Sequence, residues 1–225
     1  MRRWLAGALL VTLGWFASPT SVPVYDGLPN SDEPYRYVGR TPAPTTARDS
    51  ATVSSGSVGA LQAKSGETGP QLLIDLAPGA LRSGTAPKVT LTGTPMKPDG
   101  SPPRGSFDGN AYRVTTAPAA TVSTEQTGYL FLRAAVMTKP APVVVHRSGA
   151  GAPWQEVPTQ RAGRDILATG FKELGDYAVV RLPGAKPVDS GGIGLTRVLF
   201  LGGGVLLLVV ITVLVLRRPR PDAEE

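Results

Sequence analysis

The chain has 225 residues, enough for one modest domain beside targeting segments, with 41% hydrophobic and only 6% aromatic residues. It contains no cysteine, which excludes disulfides, thiolate metal sites, thiol nucleophiles and a lipid-anchoring cysteine. The formal charge of +6 does not point to nucleic acid: setting aside Arg2, Arg3, Arg217, Arg218 and Arg220 as topology signals, with the tail acids Asp222, Glu224 and Glu225, leaves 18 basic against 14 acidic residues.

Residues 1–17, MRRWLAGALLVTLGWFA, place two arginines before an apolar run, the plan of a secretory signal. A cut after Ala17 would put Trp15 where a small residue is expected, and Pro19 obstructs a cut after Ser18. Two readings therefore stand, a cleaved signal peptide and a retained signal anchor that spans the membrane a second time. General secretion suits the residues around Arg2 and Arg3 better than twin-arginine export.

Residues 18–57 are expected to form a disordered leader and stalk. Residues 18–40 are too rich in proline and acidic groups for a helix, yet they carry Tyr25, Tyr35 and Tyr37. Such tyrosines mark either a docking stretch or a solvated leader whose rings lie on the membrane interface or the domain. Residues 41–57, TPAPTTARDSATVSSGS, hold too few large apolar groups to offset chain entropy.

Residues 58–182 carry a periodicity of two. Leu72, Ile74 and Leu76 share one side of their run, and Val89 and Leu91 alternate with polar neighbours. Further strands are expected over 110–116, 129–134, 143–147, 155–159, 165–169 and 177–182. Turn signals separate them at Ala77-Pro78-Gly79, Pro98-Asp99-Gly100, Asp108-Gly109-Asn110, Ser148-Gly149-Ala150-Gly151 and Gly175-Asp176. No window offers an amphipathic helix. About eight short strands in this span predict an all-β fold, an antiparallel β-sandwich ectodomain.

A juxtamembrane linker, 183–197, leads to residues 198–216, VLFLGGGVLLLVVITVLVL, which hold no charge. At ~1.5 Å per residue this run covers roughly 28 Å as a helix, close to the ~30 Å hydrocarbon core of a bilayer, so a transmembrane helix is expected. Arg217, Arg218 and Arg220 follow it and orient the tail, 217–225, to the cytoplasm. The localisation this predicts is the cell membrane, single-pass, with the domain outside. Leu182-Pro183-Gly184-Ala185 lacks the pattern of a wall-sorting signal, and the contiguous Gly202, Gly203 and Gly204 do not form a small-xxx-small motif.

The order QLLIDLAPGAL (71–81), NAYRV (110–114), VVVHRSGAGAPWQEVPT (143–159) and LGDYAVV (174–180), after a leader DEPYRYV (32–38), resembles an uncharacterised family of actinobacterial exported or single-pass membrane proteins. The APGAL turn and the LGDYAVV strand are similar to ZU5-like β-sandwich domains, and that likeness implies protein contacts. Neither resemblance brings catalytic residues to carry over.

Chemistry-bearing constellations are sparse. His146, the one histidine, has no Gly-x-Ser-x-Gly elbow to serve and reads as an ordinary strand residue. Asp99 and Asp108 offer oxygen ligands, but as Asp-Gly pairs they read better as turns than as calcium sites. Residues 59–65, GALQAKS, match a phosphate loop only superficially. Asp75, Glu125, Glu156 and Asp165 are the acids a glycosidase would draw on, though their spacing joins no two of them. Trp154, beside Glu156, reads as core or edge packing, with stacking on a sugar or partner as the alternative.

The sequence thus predicts no catalytic residue, no cofactor-binding residue, no metal site and no cofactor. The expected protein is a non-enzymatic binding or assembly module at the bacterial cell surface, its partners the lipid bilayer through residues 198–216 and a protein or cell-wall glycan, with no nucleic acid. The alternatives are a membrane-tethered hydrolase using acidic residues and a small structural subunit of an envelope complex.

Overall fold

A computed structural model describes residues 33–84, 86–125 and 128–188. The expected signal segment, residues 1–17, the expected membrane helix, residues 198–216, and the tail, residues 217–225, lie outside the described residues. Among the described residues there are strands and no α-helix, so none is long and apolar enough to cross a membrane. Contacts divide the chain after Lys186, and the fold is that of the first unit.

All strand pairs described are antiparallel. The chain lays down β1 (Ala47–Ser54), β2 (Ser57–Val58), β3 (Leu61–Lys64), β4 (Leu72–Leu76), β5 (Leu81–Arg82), β6 (Lys88–Met96) and β7 (Ser106–Ala117). It continues with β8 (Thr121–Val122), β9 (Gly128–Arg133), β10 (Thr138–Lys139), β11 (Val143–Arg147), β12 (Gln155–Glu156), β13 (Thr159–Arg161), β14 (Ile166–Gly170) and β15 (Gly175–Arg181). One sheet has nine strands in the order β12-β11-β15-β7-β6-β1-β2-β5-β8; a second has five, β13-β14-β9-β4-β3. The all-β antiparallel class is as the sequence predicts, and the two sheets are consistent with a β-sandwich-like fold.

Alternation explains how the sheets meet. Leu72, Ile74 and Leu76 of β4 and Leu130 and Leu132 of β9 join Val89 and Leu91 of β6 and Tyr112 and Val114 of β7 in one apolar core. Full burial of side chains of this size is worth about 1.5–3 kcal/mol each. Gly93 of β6 lets the sheets approach: a Cβ there would stand 2.3 Å from Leu72 Cδ2.

Strands β11 and β15 are buried on both faces. Val144 and Val179 enter the main core, while Val145, Ala178 and Val180 join Ala111 and Trp154 in a second cluster, with Phe107 and Met96 packed against it. That double burial accounts for the unbroken apolar runs at 143–145 and 178–180, which alternation alone would not produce.

Expectations for residues 41–57 and for two of the turn signals need correction; of the latter, Gly175-Asp176 opens strand β15, paired with Val114 and Arg113 of β7. Residues 41–57 are not an unfolded stalk, because β1 pairs with β6 from Ala47 to Thr52 and with β2 at Val53 and Ser54. Ser55 and Gly56 have φ of 51° and 77°, and this two-residue turn suits the twist of a hairpin. Main-chain pairing with β6 and β2 fixes the strand although, of its side chains, Ala47 alone is fully buried. The other turn signal is Asp108-Gly109-Asn110, which lies inside β7 rather than in a turn. Between the pairs Ala111–Ala178 and Phe107–Val180, these three residues oppose Val179 alone, so the turn signal marks a β-bulge.

Candidate functional site

The residues singled out by chemistry do not converge. Asp75 is exposed on β4; Glu125 pairs with Arg82 at 3.5 Å, Glu156 with Arg104 at 2.5 Å, and Asp165 with Arg133 at 2.6 Å. Each of the last three carboxylates thus goes to a different arginine. His146 stands on β11 with its ring 4.6 Å from that of Tyr177 and Nε2 3.2 Å from the Leu174 carbonyl. Residues 59–65 run into strand β3. Among the described residues no three acids or histidines gather as metal ligands would.

Trp154 is 5% exposed, donates its indole N–H to the Asp99 carbonyl at 2.9 Å and meets Phe107 edge-on. It is therefore core packing on the outer face of the nine-stranded sheet. Arg147 lies over its ring, 4.5 Å from the centroid, and bonds both Asp99 and the fully buried Asp176. Arg113 grips Asp176 as a fork, at 2.7 and 2.9 Å. Burial alone would raise the Asp176 carboxyl, but the bonds from the two guanidinium groups outweigh it and hold the group below its ordinary range. An open groove beside Arg113 runs past Thr115, Ser148 and Gly149.

A second polar assembly holds residues 33–38. The Asn110 side chain accepts from the Val38 N–H at 3.0 Å and donates to the Arg36 carbonyl at 2.8 Å. Gln71, fully buried just before β4, donates to the same carbonyl at 3.1 Å and accepts from the Tyr112 hydroxyl. Arg133 of β9 donates to the Glu33 carbonyl. The Asn110 N–H donates to the Tyr35 hydroxyl at 3.0 Å, and burial pushes that hydroxyl up to about 12. Gly109, at φ +95°, makes room for the ring, since a Cβ would sit 2.6 Å from the Tyr35 oxygen. Tyr37 leans on Tyr35 and lies under Arg40. The Tyr35 ring thus lies on the domain, as the solvated-leader reading allowed, and Tyr37 packs on Tyr35 within the same segment; Tyr25 lies outside the described residues.

The bulge supplies this slot. Asp108 anchors it, accepting from Arg181 at 2.6 Å and from the Val136 N–H at 3.0 Å, which leaves Asn110 free to read the segment's main chain. Gln71 and Arg133 stood in no local motif of the sequence. The legible signal was the Asp-Gly-Asn triplet inside an otherwise β-forming run.

The outer face of the five-stranded sheet is different again. Tyr129 is 51% exposed, the highest value for a large apolar side chain among the described residues. Phe131 follows on the same face of β9, its ring 6.3 Å away. Tyr129 lies between Asp75 and Gly170, and Phe131 between Leu73 and Ala168, so small residues leave one flank of each ring open. Gln62 and Lys64 of β3 and Gln160 of β13 complete the rim in register. A shallow depression at one end is lined by Ser123, Thr124, Lys172 and Glu173. No protein-family model, curated protein or solved structure matches the chain.

Proposed function

We propose that the chain is a non-catalytic binding module, a β-sandwich displayed outside the cell and held to the membrane by residues 198–216. The observation that carries this reading is the outer face of the five-stranded sheet, where exposed Tyr129, partly buried Phe131 and largely buried Leu73 form an apolar centre. Asp75, Gln62, Lys64 and Gln160 rim it. An apolar, aromatic centre with a polar rim is the anatomy of a protein-protein contact, and the partner proposed is a protein of the cell envelope. The ZU5-like segments support the same class of partner. Dispersal of the carboxylates among separate arginines supports a binding role over a hydrolytic one.

The absence of cysteine makes the topology directly testable. A single cysteine replacing exposed Lys64 is expected to react with a membrane-impermeant maleimide on intact cells. Labelling that appears only after lysis would overturn the reading. Tyr129→Ala in the full chain is expected to lose envelope proteins that co-purify with the wild type. If a glycan is recovered on the wild type in their place, the face is right and the partner class wrong.

A further inference from the structure

Residues 33–38 are held as a bound peptide is held, not as a strand of either sheet. Three side chains, Gln71, Asn110 and Arg133, bond main-chain groups of the segment, and the Asn110 amide takes one donor and one acceptor from it. Side-chain specificity comes from Tyr35, whose ring fills the space left by Gly109 and whose hydroxyl accepts the Asn110 N–H. Reading the main chain for affinity and one or two side chains for specificity is how peptide-recognition surfaces work. Beyond the slot, residues 39–43 are exposed, and the chain is bonded to the domain again at Thr45, whose N–H donates to Glu67.

We propose that this slot is a recognition site for an extended, tyrosine-bearing peptide, filled in cis by residues 33–38 and open to the same segment of a second copy, so that neighbouring copies exchange segments and pair. Exchange preserves every contact just described, because the incoming segment is identical to the one displaced. A short exposed connector gives the cis segment the advantage of high effective concentration. Pairing is therefore favoured where copies are crowded or where the cis segment is impaired. The inference goes beyond the binding reading above and is independent of it, since nothing in the exchange uses the Tyr129 face.

The test uses full-length chains in detergent. The double variant Tyr35→Ala, Tyr37→Ala impairs the segment and leaves the slot intact, and the probe is a fluorescein-labelled peptide of residues 33–40, EPYRYVGR. Saturable binding to the double variant is expected, at least tenfold tighter than to the wild type, whose slot is filled, and lost when Asn110→Ala is added. Co-expressed under different tags, the double variant and a chain bearing Asn110→Ala alone are expected to co-purify as pairs, while neither pairs with itself. If the double variant keeps Trp154 buried by fluorescence and binds no peptide, or if the mixed chains fail to co-purify, the proposal falls. Should the double variant not fold, a specific protease site replacing residues 40–43 of the wild type is cut after folding. The peptide is then expected to displace the severed segment, and its failure to enter would equally overturn the proposal.

Discussion

The outer face of the nine-stranded sheet, around β7, β11 and β15, is covered: Trp154 closes a second apolar cluster, and Asp99, Arg113, Arg147 and Asp176 lock the loops above it. The outer face of the five-stranded sheet carries rings of comparable size and leaves one of them, Tyr129, half in solvent beside the partly buried Phe131. The two faces put similar chemistry to different ends. On one, aromatic and charged groups are satisfied internally and contribute stability; on the other, Leu73 and Phe131 are covered in large part while Tyr129 remains available for contact.

Substitution at Asp176 breaks the comparison most forcefully. Asp176→Ala removes the buried partner of Arg113 and Arg147, of which Arg147 keeps Asp99 and Arg113 reaches solvent, and is expected to cost about 3 kcal/mol, read by denaturant unfolding of the full chain in detergent. The same carboxylate sets a pH dependence. Its folded pKa lies below the ordinary value of 3.8, so its contribution is complete above that value and is lost as the pH falls through the lower, folded one. An Asp176→Asn chain is expected to start less stable and to show a flatter loss below about pH 4; a profile parallel to the wild type would contradict the assignment.

Next in size is Gly109→Ala, which forces an alanine into φ +95° and against the Tyr35 ring. A loss of about 1–3 kcal/mol is expected, with increased proteolysis of residues 39–46 as the local readout. Tyr177→Phe removes a hydroxyl that donates to the Glu173 carbonyl at 2.7 Å, and about 1 kcal/mol should go with it. Smallest of all, Tyr129→Ala is expected to shift stability by no more than about 0.5 kcal/mol while abolishing partner recovery. A large stability loss at Tyr129 would mean that this face is structural after all.

Where one face of a strand is wet, the sequence made the fold easy to read: Val89 and Leu91 alternate because only one side of β6 is buried, and Leu72, Ile74 and Leu76 mark the core side of β4 although Leu73 is buried on the other. It was harder to read where tertiary context replaces pattern. Strand β1 is built of Ala, Ser, Thr, Arg and Asp with a single valine, and its place is set by main-chain pairing with β6, which composition does not report. The Asp-Gly-Asn triplet was read as a turn because the same residues that make turns also make bulges, and only the partner strand decides between them. For the slot, Tyr35 and Tyr37 were visible in the sequence, where docking was one of two readings left open. Their receptors were not, because Gln71, Asn110 and Arg133 lie far apart in sequence and gather only when β4, β7 and β9 are assembled.

The central claim, that the aromatic face around Tyr129 is the working surface, is tested most directly by a photo-crosslinking amino acid placed at position 129 and, as its counterpart, at position 115 by the covered face. Both are irradiated in native membranes. The account predicts a discrete protein adduct from position 129 and none from position 115. Adducts from position 115 alone, or the same adducts from both, would contradict it.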